Sequence, residues 1–173
     1  MDRLTDQETI LVRPAAAADV PELVRLRALL FHTLGGDYFD PPAADDAWKD
    51  DLAMVLEDYL TAGSARVLVV DGSEGTDGSN GIRGLAACGI GGIEQRLPGP
   101  HLRNGRCGLV IGVVTAPAYR RRGYSRAIMR ELLAWFRDQG AARVDLYASH
   151  GGEPLYRELG FVDHPDPALY WRP

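Results

Sequence analysis

The stretch Val113-Val114-Thr115-Ala116-Pro117-Ala118-Tyr119-Arg120-Arg121-Arg122-Gly123-Tyr124-Ser125 runs from an apolar strand, through a tight Arg/Gly turn, into a helix. A helix N-terminus presents backbone N–H groups without intrahelical partners and about half a positive charge from the aligned peptide dipoles. Gly123 lets the main chain approach a ligand closely, and Arg120, Arg121 and Arg122 add positive field around it. In physical terms this is a cradle for a phosphate. It is not a nucleotide P-loop, because the Gly-x-x-x-x-Gly-Lys-Ser/Thr spacing is absent, and it lacks the spaced glycines of a dinucleotide fingerprint. An arginine-rich turn alone is more often solvated surface than ligand site. Its flanks decide.

Residues 106–115 (RCGLVIGVVT) read as the strand leading into the turn. Residues 123–139 carry Ile128, Leu132 and Trp135 at helical spacing, with Gly140 at the C′ position. Residues 142–148 (ARVDLYA) form a strand, and 154–159 a short helix with Pro154 in its first turn and Gly160 behind it. Phe161-Val162 and residues 168–172 are expected to close the chain as a hairpin.

Toward the N-terminus, residues 8–13 (ETILVR) predict a first strand. Asp19 and Glu22 have the spacing of a capping box, opening a helix with Val20, Leu23, Leu26, Leu30 and Leu34 on its apolar face. Gly35-Gly36 stops it. After Pro41-Pro42, Asp45 or Asp46 caps a second helix with Trp48, Leu52, Val55 and Tyr59 on one side, ended by Gly63. Residues 65–71 (ARVLVVD) are a strand and 82–93 (IRGLAACGIGGI) the returning one. Between them, residues 72–81 (GSEGTDGSNG) contain no apolar side chain and predict a flexible loop, as do residues 1–7 at the start. Residues 94–105 are irregular. Strands and helices in this order predict one α/β (α+β) domain over residues 1–173, with a mixed, mostly antiparallel central sheet flanked by helices.

The chain has 173 residues, 46% hydrophobic and 25% charged, which suits a domain with its own core. No window approaches the roughly 18 uninterrupted apolar residues of a membrane helix. MDRLTDQETILVRP at the N-terminus lacks an apolar signal core, which predicts a cytoplasmic protein. Cys88 and Cys107 are too few for a disulfide scaffold and, lying in strands, read as packing residues. A net charge of −5 gives no reason to expect nucleic acid. No Cys/His cluster suggests a metal. Against this acidic background, 18 of the 19 basic residues are Arg, and the run at 120–122 points to a small anion.

The order strand, Arg120-x-x-Gly123-x-Ser125, long amphipathic helix, strand, then Leu155-Tyr156-x-x-x-Gly160-Phe161 strongly resembles the GNAT superfamily of N-acetyltransferases. The signature of that family is Arg/Gln-x-x-Gly-x-Gly/Ala, followed roughly thirty residues later by a Tyr and a Gly-Phe pair. The resemblance is close over residues 106–163 and extends elsewhere by element order, including Val12-Arg13-Pro14-Ala15 and Asp19. Ser125 departs from the last signature position, where a small hydroxyl still fits. The resemblance implies a splayed strand pair that forms an acetyl-CoA cleft. It implies that backbone N–H groups of Arg120, Arg121, Arg122, Gly123, Tyr124 and Ser125 hold the pyrophosphate. It also implies that the main chain of Val113, Val114 and Thr115 pairs with the pantetheine arm. Side chains of Arg121 and Arg122 are as easily solvated as engaged.

Tyr156 occupies the family's acid position, where a phenol protonates the leaving thiolate; the plain alternative is a ring packed under the sheet. Ser149 or His150 stands where many relatives carry Asn. For the general base, Glu94, Asp37, His32 and His150 remain open. The implied activity is acetyl transfer from acetyl-CoA to a primary amine, small molecule or peptide, by direct attack in a ternary complex. No metal, nucleic acid or membrane is expected, and a homodimer is left open. A non-catalytic acyl-CoA-binding sensor or scaffold would share the cradle but would not require Tyr156. A nucleotide-binding domain is disfavoured, since no Lys or acidic metal ligand lies near Gly123 in the sequence. For the acceptor, His101, Arg103 and Arg106 suit a carboxylate, and Asp37 and Glu94 a cation.

Overall fold

A computed structural model describes residues 9–41, 45–72 and 84–173; the expected flexibility of residues 1–7 and 73–81 falls outside them. The elements are β1 (Arg13–Pro14), α1 (Val20–Leu34), α2 (Gly36–Phe39), α3 (Trp48–Ala62), β2 (Ala65–Asp71), β3 (Leu85–Gln95), β4 (Arg106–Thr115), α4 (Tyr124–Asp138), β5 (Arg143–Leu146) and α5 (Glu153–Glu158). The strands stand in sequence order in one five-stranded sheet. Neighbours from β1 to β4 are antiparallel, whereas β5 runs parallel to β4. A parallel pair needs a long crossover connection, and α4 supplies it.

The continuous apolar run of β2 follows from burial on both faces. Val67 and Val69 join the core formed with α1 and α3. Leu68 and Val70 face the second core, built by Ile128, Met129, Leu132 and Phe136 of α4. The glycines of β3 and β4 have a packing cause. A Cβ on Gly89 would stand 2.3 Å from Ile128 Cγ2, and on Gly91 2.7 Å from Phe136 Cζ. One on Gly108 would stand 2.7 Å from Phe136 Cδ1. Bare backbone on the sheet makes room for the large side chains of α4.

The register of β4 contains one irregularity. Ile90 pairs with Gly112 and Gly91 with Val110, so Ile111 is an extra residue on β4. Such a bulge bends its strand. Pairing with β5 stops at the same point, the last partners being Val110 and Leu146. Beyond it, residues 112–115 pair with β3 on one side only, and the two parallel strands part.

Several expectations need correction. Among the described residues the first ladder forms only at Arg13 and Pro14, opposite Val69 and Leu68. In α3 the inward residue is Leu56, flanked by Leu52 and Tyr59, while Val55 is 45% exposed. The C-terminal hairpin is not formed: residues 161–173 contain no strand. Pro165 and Pro167 lack the N–H a ladder needs and restrict the residues before them.

Asp19 precedes α1 as expected, but its carboxylate does not close a capping box on Glu22. It accepts the N–H of Ala16 at 2.7 Å and the guanidinium of Arg13 at 2.8 and 3.0 Å. Glu22 instead accepts the N–H of Leu85 at 2.9 Å and pairs with Arg25. Arg13 also reaches Asp71, so one guanidinium joins β1, β2 and the entry to α1. Hydrogen bonding to Arg13 holds the Asp19 carboxyl below the ordinary carboxylate range. A depressed pKa stabilises the fold above the unfolded value and loses that contribution as pH falls through the folded value. Asp19→Asn should therefore cost about 1–3 kcal/mol near pH 7 and progressively less as the pH falls toward 3. Urea unfolding of both proteins at the two pH values checks this; an equal loss at both would assign the effect to shape rather than charge.

Candidate active site

The site begins at the bulge of β4. Val113, Val114 and Thr115 pair with Gly89, Cys88 and Ala87 of β3, and their opposite edge pairs with no strand among the described residues. An open edge of this kind presents unpaired N–H and C=O groups to any extended ligand. At its end the chain turns through Pro117–Tyr119 and the arginine run into α4. Gly123 adopts φ +84° and Arg121 φ +65°, both left-handed. No side chain caps α4. Among the described residues the backbone N–H groups of Arg121, Arg122, Gly123, Tyr124 and Ser125 have no hydrogen-bond partner. The N–H of Arg120, by contrast, is turned onto Pro117 O at 3.3 Å.

The side chains brace this turn. Arg120 Nε donates to Thr115 O at 3.3 Å, and the Arg122 guanidinium lies 5.5 Å from the Tyr119 ring centre. The Ser125 and Thr115 hydroxyls are 2.7 Å apart, tying the first turn of α4 to the end of β4. Ser125 therefore has a local reason to depart from Gly or Ala. All three arginines of the run are exposed.

Tyr156 lies on α5, half-buried in the same cluster as Val113 and Tyr124 on the α4 face. Its ring meets Phe161 edge-on at 6.0 Å. Its hydroxyl has no hydrogen-bond partner among the described residues, and burial pushes the phenol pKa up. A phenol in this state keeps its proton at neutral pH. Ser149 Oγ accepts the N–H of Gly152 at 3.2 Å and so shapes the entry to α5.

The candidate bases differ in availability. Glu94 pairs with Arg96 at 2.9 Å, and His32 Nδ1 lies 3.2 Å from Asp40. Asp37 and His150 are exposed. Both cysteines are buried, and burial pushes the Cys88 thiol up to about 12, which removes it as a nucleophile. The stretch 94–105 sits at the start of β4, with Arg106 Nε on Gln139 O at 2.7 Å and Asn104 Nδ2 on Gly140 O at 2.8 Å. Nine residues of strand, about 30 Å, separate Arg106 from Thr115. Arg106, with the 96–105 loop before it, thus stands at the opposite end of β4 from Thr115. A surface groove of about 540 Å³ between the start of α1 and α3, lined by Val24, Lys49, Asp50 and Glu57 among others, holds none of the candidate residues.

One residue near the site escaped the sequence reading. Arg27 projects from α1 to the bulge, where Nη1 donates to Ile111 O at 3.3 Å. Its signal was a charge at the i+4 position after Leu23 and three before Leu30, on the apolar side of the helix.

Residues 30–161 match the model of the Acetyltransferase (GNAT) family. No curated protein sequence matches the chain significantly. Among solved structures, a predicted acetyltransferase with acetyl-CoA from Clostridium acetobutylicum is similar at 18% identity and a TM-score of 0.75, covering 94% of this chain and 96% of that one. A GCN5-related N-acetyltransferase from Ralstonia eutropha JMP134 shows 23% identity and a TM-score of 0.74, covering 94% and 98%. A glucosamine-6-phosphate N-acetyltransferase from Arabidopsis thaliana shows 17% and 0.65, covering 95% and 99%. At these identities the structures speak for the fold, and they define its class: an α/β domain with the acetyltransferase fold. The family model spans most of the chain and gives the particular: this protein belongs to the GNAT family of acetyltransferases.

Proposed function

We propose that the protein transfers the acetyl group of acetyl-CoA to a primary amine by direct attack in a ternary complex. One observation carries the proposal. The open edge of residues 111–115 and the unpaired N–H groups of residues 121–125 lie on a single continuous segment. A ligand with an amide-bearing arm and a pyrophosphate matches that sequence of donors and acceptors. Val113, Val114 and Thr115 would pair with the pantetheine arm. Arg121, Arg122, Gly123, Tyr124 and Ser125 would offer N–H groups to the pyrophosphate, and Arg120 its positive field.

The amine nitrogen bonds to the thioester carbonyl carbon, the C–S bond breaks, and sulfur leaves with the electron pair. Tyr156 gives its proton to that sulfur, and the nitrogen releases one to a base or to water. A cofactor-binding sensor would not require an acid here, and the half-buried Tyr156 hydroxyl, bonded to no protein group among the described residues, is available for that role.

Acetyl-CoA at 100 times its Kd should raise stability by about 2.7 kcal/mol. Thermal melts with increasing acetyl-CoA measure this, and thiol release over a panel of primary amines measures transfer. A melting temperature indifferent to acetyl-CoA would remove the proposal.

A further inference from the structure

Resting on the acetyl-transfer reading, we infer that the acceptor amine carries an anionic oxygen group, carboxylate or phosphate ester, and that Arg27 binds it. Arg27 occupies a position on α1 where the helix otherwise presents Leu23, Leu26 and Leu30 to the sheet. A half-buried guanidinium in such a place loses hydration and is costly without a counter-charge. Desolvation accordingly lowers the pKa of Arg27. Arg13, Arg25, Arg96, Arg126 and Arg157 all pair with carboxylates. Arg27 pairs with none among the described residues; one N–H goes to Ile111 O and its other donors meet no other acceptor among those residues.

The neighbourhood is shaped around this guanidinium. A Cβ on Gly112 would lie 2.2 Å from Arg27 Nη1, so the strand gives up a side chain where the arginine rests. The Phe31 ring backs it, 4.8 Å from Cζ. From Phe31 the aromatic wall continues through Phe39 and Tyr38 to Tyr170 of the C-terminal tail, with Arg172 over Tyr38 at 4.6 Å. The carboxylates near α1 are engaged elsewhere: Asp19 by Arg13, Glu22 by Arg25 and the Leu85 N–H, and Asp40 by His32.

Position completes the argument. Ile111 is the bulge residue at which β4 and β5 part, two residues before the proposed pantetheine-pairing segment. Val113 and Tyr156 approach that opening from the α4 face, and Arg27 from the α1 face. An acceptor entering on the α1 side would set its anion on Arg27 and its amine toward the opening. A guanidinium fork matches carboxylate and phosphate oxygens equally well.

The test compares matched amines: amino acids, their carboxamides and phosphoethanolamine, with acetyl-CoA. The wild-type protein should favour at least one anionic class over the neutral amide by about tenfold or more in kcat/KM. The carboxylate and phosphate arms identify which oxyanion is used. Arg27→Gln should collapse that ratio toward one, chiefly through KM, and Arg27→Lys should restore part of it. The acetyl-CoA melting shift, run on every variant, verifies folding and donor binding. Calorimetry with the CoA-loaded protein gives a second readout that does not need turnover. Equal use of acid and amide, an equal loss for both in Arg27→Gln, or no binding of either anionic class while acetyl-CoA still binds would overturn the inference. Absence of acetyl-CoA binding would instead remove the reading on which it rests.

Discussion

Tyr156→Phe is expected to lower turnover with a good acceptor by about 10²-fold or more while leaving the fold and acetyl-CoA binding in place. The substitution keeps the ring that packs against Phe161 and removes only the hydroxyl. That hydroxyl has no partner among the described residues, so no protein hydrogen bond is broken and stability should change by less than about 1 kcal/mol. The proposed pyrophosphate contacts are backbone groups of another helix and are untouched. Since protonation of the departing sulfur occurs only in the transition state, the loss should fall on kcat more than on the acceptor KM. Steady-state kinetics beside a melting curve separate the outcomes. Undiminished kcat would mean that water protonates the thiolate, and lost acetyl-CoA binding would make Tyr156 a cofactor contact.

Gly123→Val should abolish the acetyl-CoA melting shift. At φ +84° a β-branched residue costs about 1–2 kcal/mol, because its Cβ crowds the following carbonyl. Space inside the protein is not the obstacle: a Cβ there meets Ile10 Cδ1 at 3.5 Å, an ordinary contact. The damage lies in the turn, which already holds Arg121 in a left-handed conformation and must aim five N–H groups outward. A valine would relax that geometry or place methyl groups where a phosphate must approach. The variant should fold at a lower melting temperature and lose at least about 100-fold in acetyl-CoA affinity, as a preorganised anion site demands. Gly123→Ala should fall between the two. A folded valine variant with an undiminished shift would place the cradle elsewhere.

Much of this protein was legible along the chain. The strand at 65–71 and the strand at 106–115 were readable from apolar runs, and α4 from the spacing of Ile128 and Leu132 closed by Gly140. These signals are local: periodicity, turn chemistry and helix ends act within a few residues. Where the reading failed, a non-local contact or a competing donor decided. Asp19 had the spacing of a cap, but Arg13 and Ala16 took its carboxylate. The apolar 161–162 and 168–172 segments looked like strands, yet the prolines between them left no ladder.

The sequence by itself determined most of the helices and central strands, the glycine- and arginine-rich turn at 120–125 and the family resemblance, since each depends on residue identity at short, fixed spacing. It also placed Tyr156 on a short helix after the last strand. Only the tertiary structure decided where β4 leaves β5, because a bulge is a mismatch between two strands and no single strand records it. Only packing showed why β3 and β4 carry glycines under α4, and why an arginine sits in the apolar stripe of α1. Both answers depend on which side chain lies across the interface, a distance the chain order does not contain.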